Sequence, residues 1–396
     1  MRSIETEGVR RRRRPQPPGN TYALGSNRHS RFGICPLEIE VLRPQELSAA
    51  RVARWAELQA ADIVLDSPFL SPGWSRAVER AQGSGAHDFR VAVVVDQGRD
   101  VAFLPLRTGT MTAMPVGAPM CDYQGVIAEA GLEIDPKALI RATGVQRYDF
   151  SCMLESQPAF APYAKGRDLV HVIDLASGYG PYEAERREAG STILKDCDKK
   201  RRKVERELGP VTFAAHSRSR ADFDKLVAWK SAQFQATGQT DIFKTGWTRR
   251  LIGELFESRD PDFGATLFTL YFGDELAAVH LHLRGRRTVH AWLIAHDAKF
   301  ERYSPGILLF QDILRWMDDT PYQRMDLGPG DYKFKRSLAN SGQYVTYGFV
   351  GLASPVSLLR EAAYGVRSAL EALPLGKVSE LPGKAMRRLD VIRGLH

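Results

Sequence analysis

Histidines on a strand pair and the helix start that follows them carry the chemistry this sequence offers. In the segments 275–284 and 287–296 polarity alternates residue by residue. Ala277, Val279, Leu281 and Leu283 share one strand face, as do Ala291, Leu293 and Ala295. The other face carries His280, His282 and Arg284, then His290, Trp292, Ile294 and His296. With the turn at Gly285, His280 falls nearly opposite His290. The pattern therefore predicts four histidines along one side of a strand pair. A sheet covered by helices has no place for such a row unless that side borders a cleft. His280, His282, His290 and Trp292 are accordingly expected to line a substrate-binding cleft. Buried histidines satisfied by hydrogen bonds are the plainer alternative for any one of them. His280, His282 and His290 could in principle hold a metal, but no carboxylate or cysteine completes a set nearby, and no metal is expected.

The strand that ends near His296 leads into a loop, and a helix opens at Ser304-Pro305-Gly306. Ser304 suits an N-cap, Pro305 the first helical position, and Gly306 leaves the backbone open to close approach. Free N–H groups and the helix dipole make such an end an anion site, to which Arg302 would add a charged contact. An imidazole suits proton removal near neutral pH, so His296 at the strand end is the leading general base, with Asp297 next. A third stretch, 326–338, places Asp331, Tyr332, Lys333 and Lys335 around the start of a short helix.

These groups need a frame. From Leu37 the chain reads as mixed α/β. Residues 37–43 alternate as a strand. Residues 44–60 have helical spacing with Leu47, Val52, Trp55 and Leu58 on one face. Ser71 and Pro72 start a second helix, and strands flank the turn Asp96-Gln97-Gly98. A short helix near 136–143 and strands at 147–151 and 169–175 follow. The second half reads β-α-α-β-β-β-α-β-α-β, from a strand at 211–215 to one at 344–350. Corresponding elements start at 37 and 211, 89 and 265, 101 and 275, and 147 and 322. That offset of about 175 residues predicts two similar domains, 34–176 and 177–351. Residues 352–373 read as an amphipathic helix with Val356, Leu359, Ala363, Val366 and Leu370 on one stripe. It would dock on the body or lie on an anionic membrane surface.

The chain has 396 residues and a net charge of +8. Residues 1–33 hold +6, the stretch 195–206 +4 and the tail 352–396 +3, which leaves −5 for the rest. A uniformly basic nucleic-acid binder is thereby excluded. Residues 1–33, with Arg10 to Arg14 in a row and then Pro15, Pro17 and Pro18, read as a disordered basic tail. The apolar segment that a twin-arginine signal requires does not follow them. No run approaches the 18 apolar residues of a membrane span. Cysteines at 35, 121, 152 and 197 show no paired spacing, so a reducing compartment is expected.

The strand order around the helix start resembles the acetyl-CoA-dependent N-acyltransferases of the GNAT superfamily. Three segments, 194–213, 300–309 and 326–338, resemble more narrowly its CelD/BcsL type, a group associated with cellulose and exopolysaccharide biosynthesis. That group is related in fold to the Fem-type aminoacyltransferases, which also carry two such domains. The resemblance covers about residues 180–350 and the first half only in general pattern. It implies an α/β fold of tandem GNAT-like domains, the second better defined, with acetyl-CoA or another acyl-CoA as co-substrate. The phosphate loop falls on Arg302, Tyr303, Ser304, Pro305 and Gly306, with Ile307 beside it, and holds fewer glycines than the superfamily's usual loop. A second pattern falls on Asp326, Gly328, Gly330, Asp331, Tyr332 and Lys333. Acyl transfer to an amine requires loss of a proton, a stabilised oxyanion and protonation of the leaving thiolate. The resemblance gives the last role to Tyr332, with Asp331 and Lys333 grouped beside it. The acceptor is expected to be an amine or hydroxyl of a sugar or cell-envelope precursor. The enzyme would work in the cytoplasm or peripherally at the inner face of the membrane, alone or within a polysaccharide-synthesis complex, without sequence-specific nucleic-acid binding. Two other readings remain: a Fem-like transferase fed by charged tRNA, and a non-catalytic partner with a degenerate fold.

Overall fold

The computed structural model describes residues 22–23, 37–83, 88–373, 379 and 381–395. Apart from Tyr22–Ala23, the tail expected at 1–33 lies outside the described residues. The first half comprises β1 (Tyr22–Ala23), β2 (Glu38–Leu42), α1 (Ala49–Ala61), α2 (Pro72–Gln82), β3 (Asp88–Asp96), β4 (Arg99–Thr108), β5 (Thr112–Pro115), β6 (Ile127–Ala128), α3 (Pro136–Ala142), β7 (Arg147–Leu154) and β8 (Ala164–Asp174). Two helices, α4 (Tyr179–Glu188) and α5 (Ile193–Glu207), lead into the second half. It continues with β9 (Val211–Ala214), α6 (Arg220–Ala236), α7 (Gly246–Glu257), β10 (Gly264–Phe272), β11 (Glu275–Arg284), β12 (Thr288–His296), α8 (Pro305–Met317), β13 (Arg324–Asp326), α9 (Lys333–Leu338) and β14 (Ser341–Gly351). The chain closes with α10 (Pro355–Glu371) and α11 (Leu381–Leu395).

Local chemistry explains most of these boundaries. Ser48 and Ser71 accept the Arg51 and Trp74 N–H groups and so cap α1 and α2. Gln97 and Gly98 both take positive φ in the tight β3–β4 turn, where the strands' twist requires it. The helix at 305–317 starts at Pro305, which suits the first helical position.

The two halves repeat the same element order but do not form separate sheets. One 14-stranded sheet runs β1-β2-β3-β4-β5-β7-β14-β8-β13-β12-β11-β10-β9, with β6 beside β4. The last strands are interleaved: β14 lies between β7 and β8, and β8 lies between β14 and β13. Each half is thus completed by a strand of the other. Each also contains one parallel pair of strands, β5 with β7 and β12 with β13.

Helices cover both faces. On one side α1, α2, α6 and α7 share a single apolar core around Trp55, Trp74, Trp247 and Leu251. On the other side α4, α5 and α8 cover the second half around Phe268, Phe310 and Ile313, and α3 covers the first. Polar ties fix one half on the other. The Asp66 carboxylate accepts the Arg286 and Arg287 N–H groups at 3.2 and 2.7 Å, and Arg250 Nε donates to Ala81 O at 3.0 Å. The last turn of α11 is held between the halves, with Arg107 donating to Gly394 O and Trp247 Nε1 to Leu395 O, both at 3.0 Å.

The C-terminal helix α10 docks on the body, but through its polar side. Leu359 and Val366, expected on its docking stripe, are 73% and 60% exposed, whereas Tyr364 and Arg367 are buried.

Gly348 sits where both ladders of β14 slip by a residue. A Cβ there would lie 2.1 Å from Tyr163 O and 3.1 Å from Ala164 Cα. Backbone atoms cannot move aside as a side chain can, so Gly348→Ala is expected to cost about 1–3 kcal/mol. A lower urea midpoint would register it. An unchanged midpoint would show that the interleaved strand has slack.

Candidate active site

The parallel pairing of β12 with β13 covers only Thr288–His290 against Arg324–Asp326. Beyond it the strands part. Trp292 is the cause on one side. It is an extra residue in β12, since Leu281 pairs with Leu293 while His282 pairs with Ala291, and such a bulge bends the strand that carries it. On the other side β13 ends at once in Leu327-Gly328-Pro329, with Gly328 at φ +70°. The gap is a cleft of about 1000 Å³ lined by Ala291–Ile294 and Leu327–Pro329, by Met120 and Asp122 of the first half, by α6 and its following loop, and by Tyr332, Lys335 and α11.

The bulge corrects the expected row of histidines. His280 pairs with Ile294, and His290 pairs with Leu283. The one-residue slip turns His290 and Trp292 to the α1/α2 side of the sheet, where both rings meet Phe69 edge-on. His280 and His282 stay on the α8 side, their rings stacked on each other at 5.6 Å and set against Phe310. His296 lies on that side too: its Nδ1 and the His280 Nε2 are the atoms nearest to where a Gly306 Cβ would be, at 3.9 and 3.8 Å. Both ring nitrogens of His282 and the His280 Nδ1 are buried without a hydrogen-bond partner. Burial holds both imidazoles neutral, with His282 pushed down to about 3 and His280 well below its ordinary value. Among the described residues no three acidic, histidine or cysteine side chains are placed to hold a metal ion.

His290, fully buried, stands at the fork. Its Nε2 is 2.8 Å from Asp122 Oδ2, and its Nδ1 is 3.8 Å from Asp326 Oδ1. Tyr123 donates its hydroxyl proton to Asp326 Oδ1 at 2.8 Å. Asp122 and Tyr123 come from the first half, so the fork is built by both. Trp292 Nε1 donates to Met120 O of the same loop at 3.1 Å. Asp122 is the one carboxylate among the described residues of the cleft wall; the other charged side chains there are Lys230, Lys335, Lys384, Arg387 and Arg388. The sequence reading missed Asp122. The available signal was a carboxylate inside the otherwise uncharged run from Pro119 to Val126.

Lys335 is buried beneath the cleft and donates to Gly328 O and Pro329 O at 3.0 and 2.7 Å. Burial pushes it down from an ordinary 10.5 to about 8, against the pull of Asp122 and Asp326. Tyr332 is 55% exposed on the cleft wall, and Lys335 Nζ lies 5.3 Å from its ring centre. Asp331 turns away to His171 Nε2 at 3.0 Å and to Arg336. Those hydrogen bonds hold its carboxyl below the usual range and tie the start of α9 to β8. Lys333 is exposed.

The start of α8 gathers positive charge. Ser304 takes a left-handed conformation (φ 54°, ψ 54°), and its side chain does not cap the helix. Lys200 of α5 donates to Ser304 Oγ at 2.6 Å instead. Lys203 and Arg302 lie over the Tyr303 ring, and Arg201 pairs with Asp312 at 2.5 Å. The basic helix thus packs against the helix start. Asp297 accepts the Lys299 N–H at 3.0 Å and caps the 3-10 turn before α8. His296, Asp297 and residues 302–307 lie together at this end, whereas Tyr332, Lys335, His290 and Trp292 gather at the fork.

Residues 191–336 match the family model described as acetyltransferase (GNAT) domain. No curated protein matches the chain in sequence. Among solved structures, FemX is similar at 10% identity over 81% of this chain and 100% of that one, with a TM-score of 0.53. A tandem GNAT protein from the clavulanic acid biosynthesis pathway aligns at 13% identity over 81% of this chain and 99% of its own, with a TM-score of 0.46. The C-terminal domain of a putative lysylphosphatidylglycerol synthetase from Agrobacterium fabrum aligns at 11% identity over 79% and 95%, with a TM-score of 0.47. At these identities the likeness speaks of fold alone. The chain has a mixed α/β, GNAT-like fold, and its second half carries a GNAT-superfamily acetyltransferase domain.

The Lys335 value gives a pH test. A lysine whose folded pKa is lowered to about 8 binds fewer protons folded than unfolded between that pH and its ordinary value. Its destabilising effect is therefore full below pH 8 and fades as pH rises. Between pH 7.5 and 9.5 the wild type should gain about 2 kcal/mol relative to Lys335→Met. Urea denaturation of both proteins at the two pH values measures the difference. A constant gap would mean that Lys335 keeps an ordinary pKa.

Proposed function

We propose that this protein transfers an acyl group from acyl-CoA to an amine, or a hydroxyl, of a sugar or cell-envelope precursor held in the cleft between its halves. The observation that carries this reading is the fork itself. β13 leaves β12 after His290, so the β12 edge beyond it has no strand partner at that side among the described residues. An extended, amide-bearing chain such as the pantetheine arm can take the vacated place. The thioester would then lie at the fork, with its phosphates toward the start of α8.

At that helix start Pro305 has no N–H, and the Ile307 and Leu308 N–H groups turn back to Ser304 O at 3.0 and 3.1 Å. The Gly306 N–H is left to meet a phosphate, helped by Arg302, Lys200 and His296. Charged side chains here do the work that further glycine N–H groups do in a longer loop. This end binds and orients; the bonds change at the fork.

The acceptor approaches from the first-half side. Its nitrogen must lose a proton as it attacks the thioester carbon, and Asp122 is the carboxylate that faces it. His290, buried against Phe69 and hydrogen-bonded to Asp122, holds that carboxylate in place and shares the incoming proton. The carbonyl oxygen gains negative charge as the tetrahedral centre forms, in a wall otherwise lined by cations, where burial strengthens the stabilisation. Collapse breaks the carbon–sulfur bond, and the Tyr332 hydroxyl gives the thiolate its proton. In this reading Asp122 takes the role that the strand pattern suggested for His296, because His296 lies at the phosphate end. The cationic lining favours acceptors that carry phosphate or carboxylate.

A thermal-denaturation series with acetyl-CoA, longer acyl-CoAs and free CoA tests the donor. A ligand at 100 times its dissociation constant should add about 2.7 kcal/mol of stability. Absence of any shift at millimolar concentration rejects the CoA reading, and a shift with charged tRNA instead supports the Fem-like alternative. Once an acceptor is in hand, Asp122→Asn should lower kcat by about 10²–10⁴-fold while leaving CoA binding intact. Unchanged turnover in Tyr332→Phe would remove that hydroxyl from the mechanism.

A further inference from the structure

Helix α10 is amphipathic, yet it meets the body with its polar side. Arg360 reaches Asp149 at 3.1 Å and Asp390 of α11 at 2.7 Å. Arg367 donates to Tyr347 OH at 2.9 Å and pairs with Glu371 at 2.8 Å. Ser357 Oγ donates to Gln146 O at 3.1 Å, and Tyr364 stacks on Phe349. The opposite side carries Leu358 at 71%, Leu359 at 73% and Val366 at 60% exposure, with the exposed Ala362 and Ala369 at helical spacing between and beyond them. On α11, which packs against α10, Leu381, Leu389 and Ile392 are exposed as well. Among the described residues eleven large apolar side chains are exposed, and seven of them lie between Leu358 and Ile392. Scattered apolar residues on a surface are ordinary, but a stripe left outward while the polar side is buried marks a surface that something covers.

The charges beside the stripe say what kind of surface. The described acids of the hairpin are neutralised within the protein: Glu361 by Lys165 at 2.6 Å, Glu371 by Arg367 and Asp390 by Arg360. Arg387 and Arg388, next to Leu389, are exposed and have no ion-pair partner among the described residues. An apolar stripe flanked by uncompensated arginine is the pattern of a helix lying in a lipid interface. Among the described residues no helix is long and apolar enough to cross a membrane.

We propose that the α10–α11 hairpin docks this protein on an anionic phospholipid bilayer. The apolar stripe lies in the headgroup–acyl boundary, and Arg387 and Arg388 meet lipid phosphates. Because Arg387, Arg388 and Val391 also wall the cleft, docking brings the cleft rim to the headgroup layer. The inference does not depend on the acyl-transfer reading.

Full-length protein is floated with vesicles of phosphatidylcholine alone and of phosphatidylcholine with phosphatidylglycerol. Binding is expected to the anionic vesicles, weakening as salt is raised. The double substitutions Leu359→Glu/Val366→Glu and Arg387→Gln/Arg388→Gln should each reduce it by at least about tenfold. All four side chains are exposed, so an unchanged urea midpoint will certify that the variants fold. No binding to either vesicle overturns the proposal, as does binding indifferent to the apolar pair. A concentration-dependent dimer that the apolar pair abolishes would also overturn it, by showing that a second copy covers the stripe. No donor or acceptor enters the assay, so its failure leaves the transfer chemistry untouched.

Discussion

A parallel pairing that stops after three residues organises this molecule. β12 and β13 are held together through His290 and Asp326 and then diverge, because Trp292 bends one strand and Gly328 turns the other away. Each feature near the fork answers a need that the divergence creates. The buried imidazole between two carboxylates closes its base. Lys335 satisfies the Gly328 and Pro329 carbonyl oxygens that leave the sheet. The Met120–Tyr123 loop of the first half closes one wall.

The first half contains a corresponding parallel pairing that does not open into a cleft. There β5 and β7 pair in parallel at Thr112–Ala113 against Arg147–Tyr148. The chain itself then fills the gap. Gln124 forms a parallel bridge to Met153, and its side-chain oxygen accepts the Ser151 and Cys152 N–H groups at 2.8 and 3.0 Å. The sealed fork has its backbone groups satisfied internally, which leaves no edge for an extended ligand. The segment that seals it also projects Asp122 and Tyr123 into the open fork. The first half in this way forms a wall of the cleft in the second, and the interleaving of β8 and β14 ties the two together.

Charge follows the same division of labour. The basic helix α5 is packed against the body: Lys200, Arg201 and Lys203 all engage the start of α8 or its flank. Positive charge also lines the fork, whereas the histidines under α8 are held neutral by burial. The net charge of the whole chain describes none of this. Cations gather at the start of α8 and along the fork, and Asp122 is the one carboxylate among the described residues of the cleft wall.

The sequence by itself determined the local elements and their order. Alternation marks β2, β11 and β12. Ser71-Pro72 and Pro305 mark helix starts within a residue or two, and the 175-residue offset marks the repeat. These signals are local, because propensity, capping and periodicity act over a few neighbouring residues. The helix start after 302 was marked by Ser304-Pro305-Gly306 for the same reason, whereas the role expected of Tyr332 came from the family resemblance. Three decisions belonged to tertiary structure. One extra residue, Trp292, moved His290 to the opposite face from His280 and His282, since strand alternation has a period of two and a single slip inverts it. Asp122 reached His290 across 168 residues of chain, a contact that no local pattern encodes. Helix α10 has the periodicity of an ordinary amphipathic helix, and only its packing decided that the arginine side would be buried. Local preference specifies which faces a strand or helix has; the partners available in the folded chain decide where those faces point.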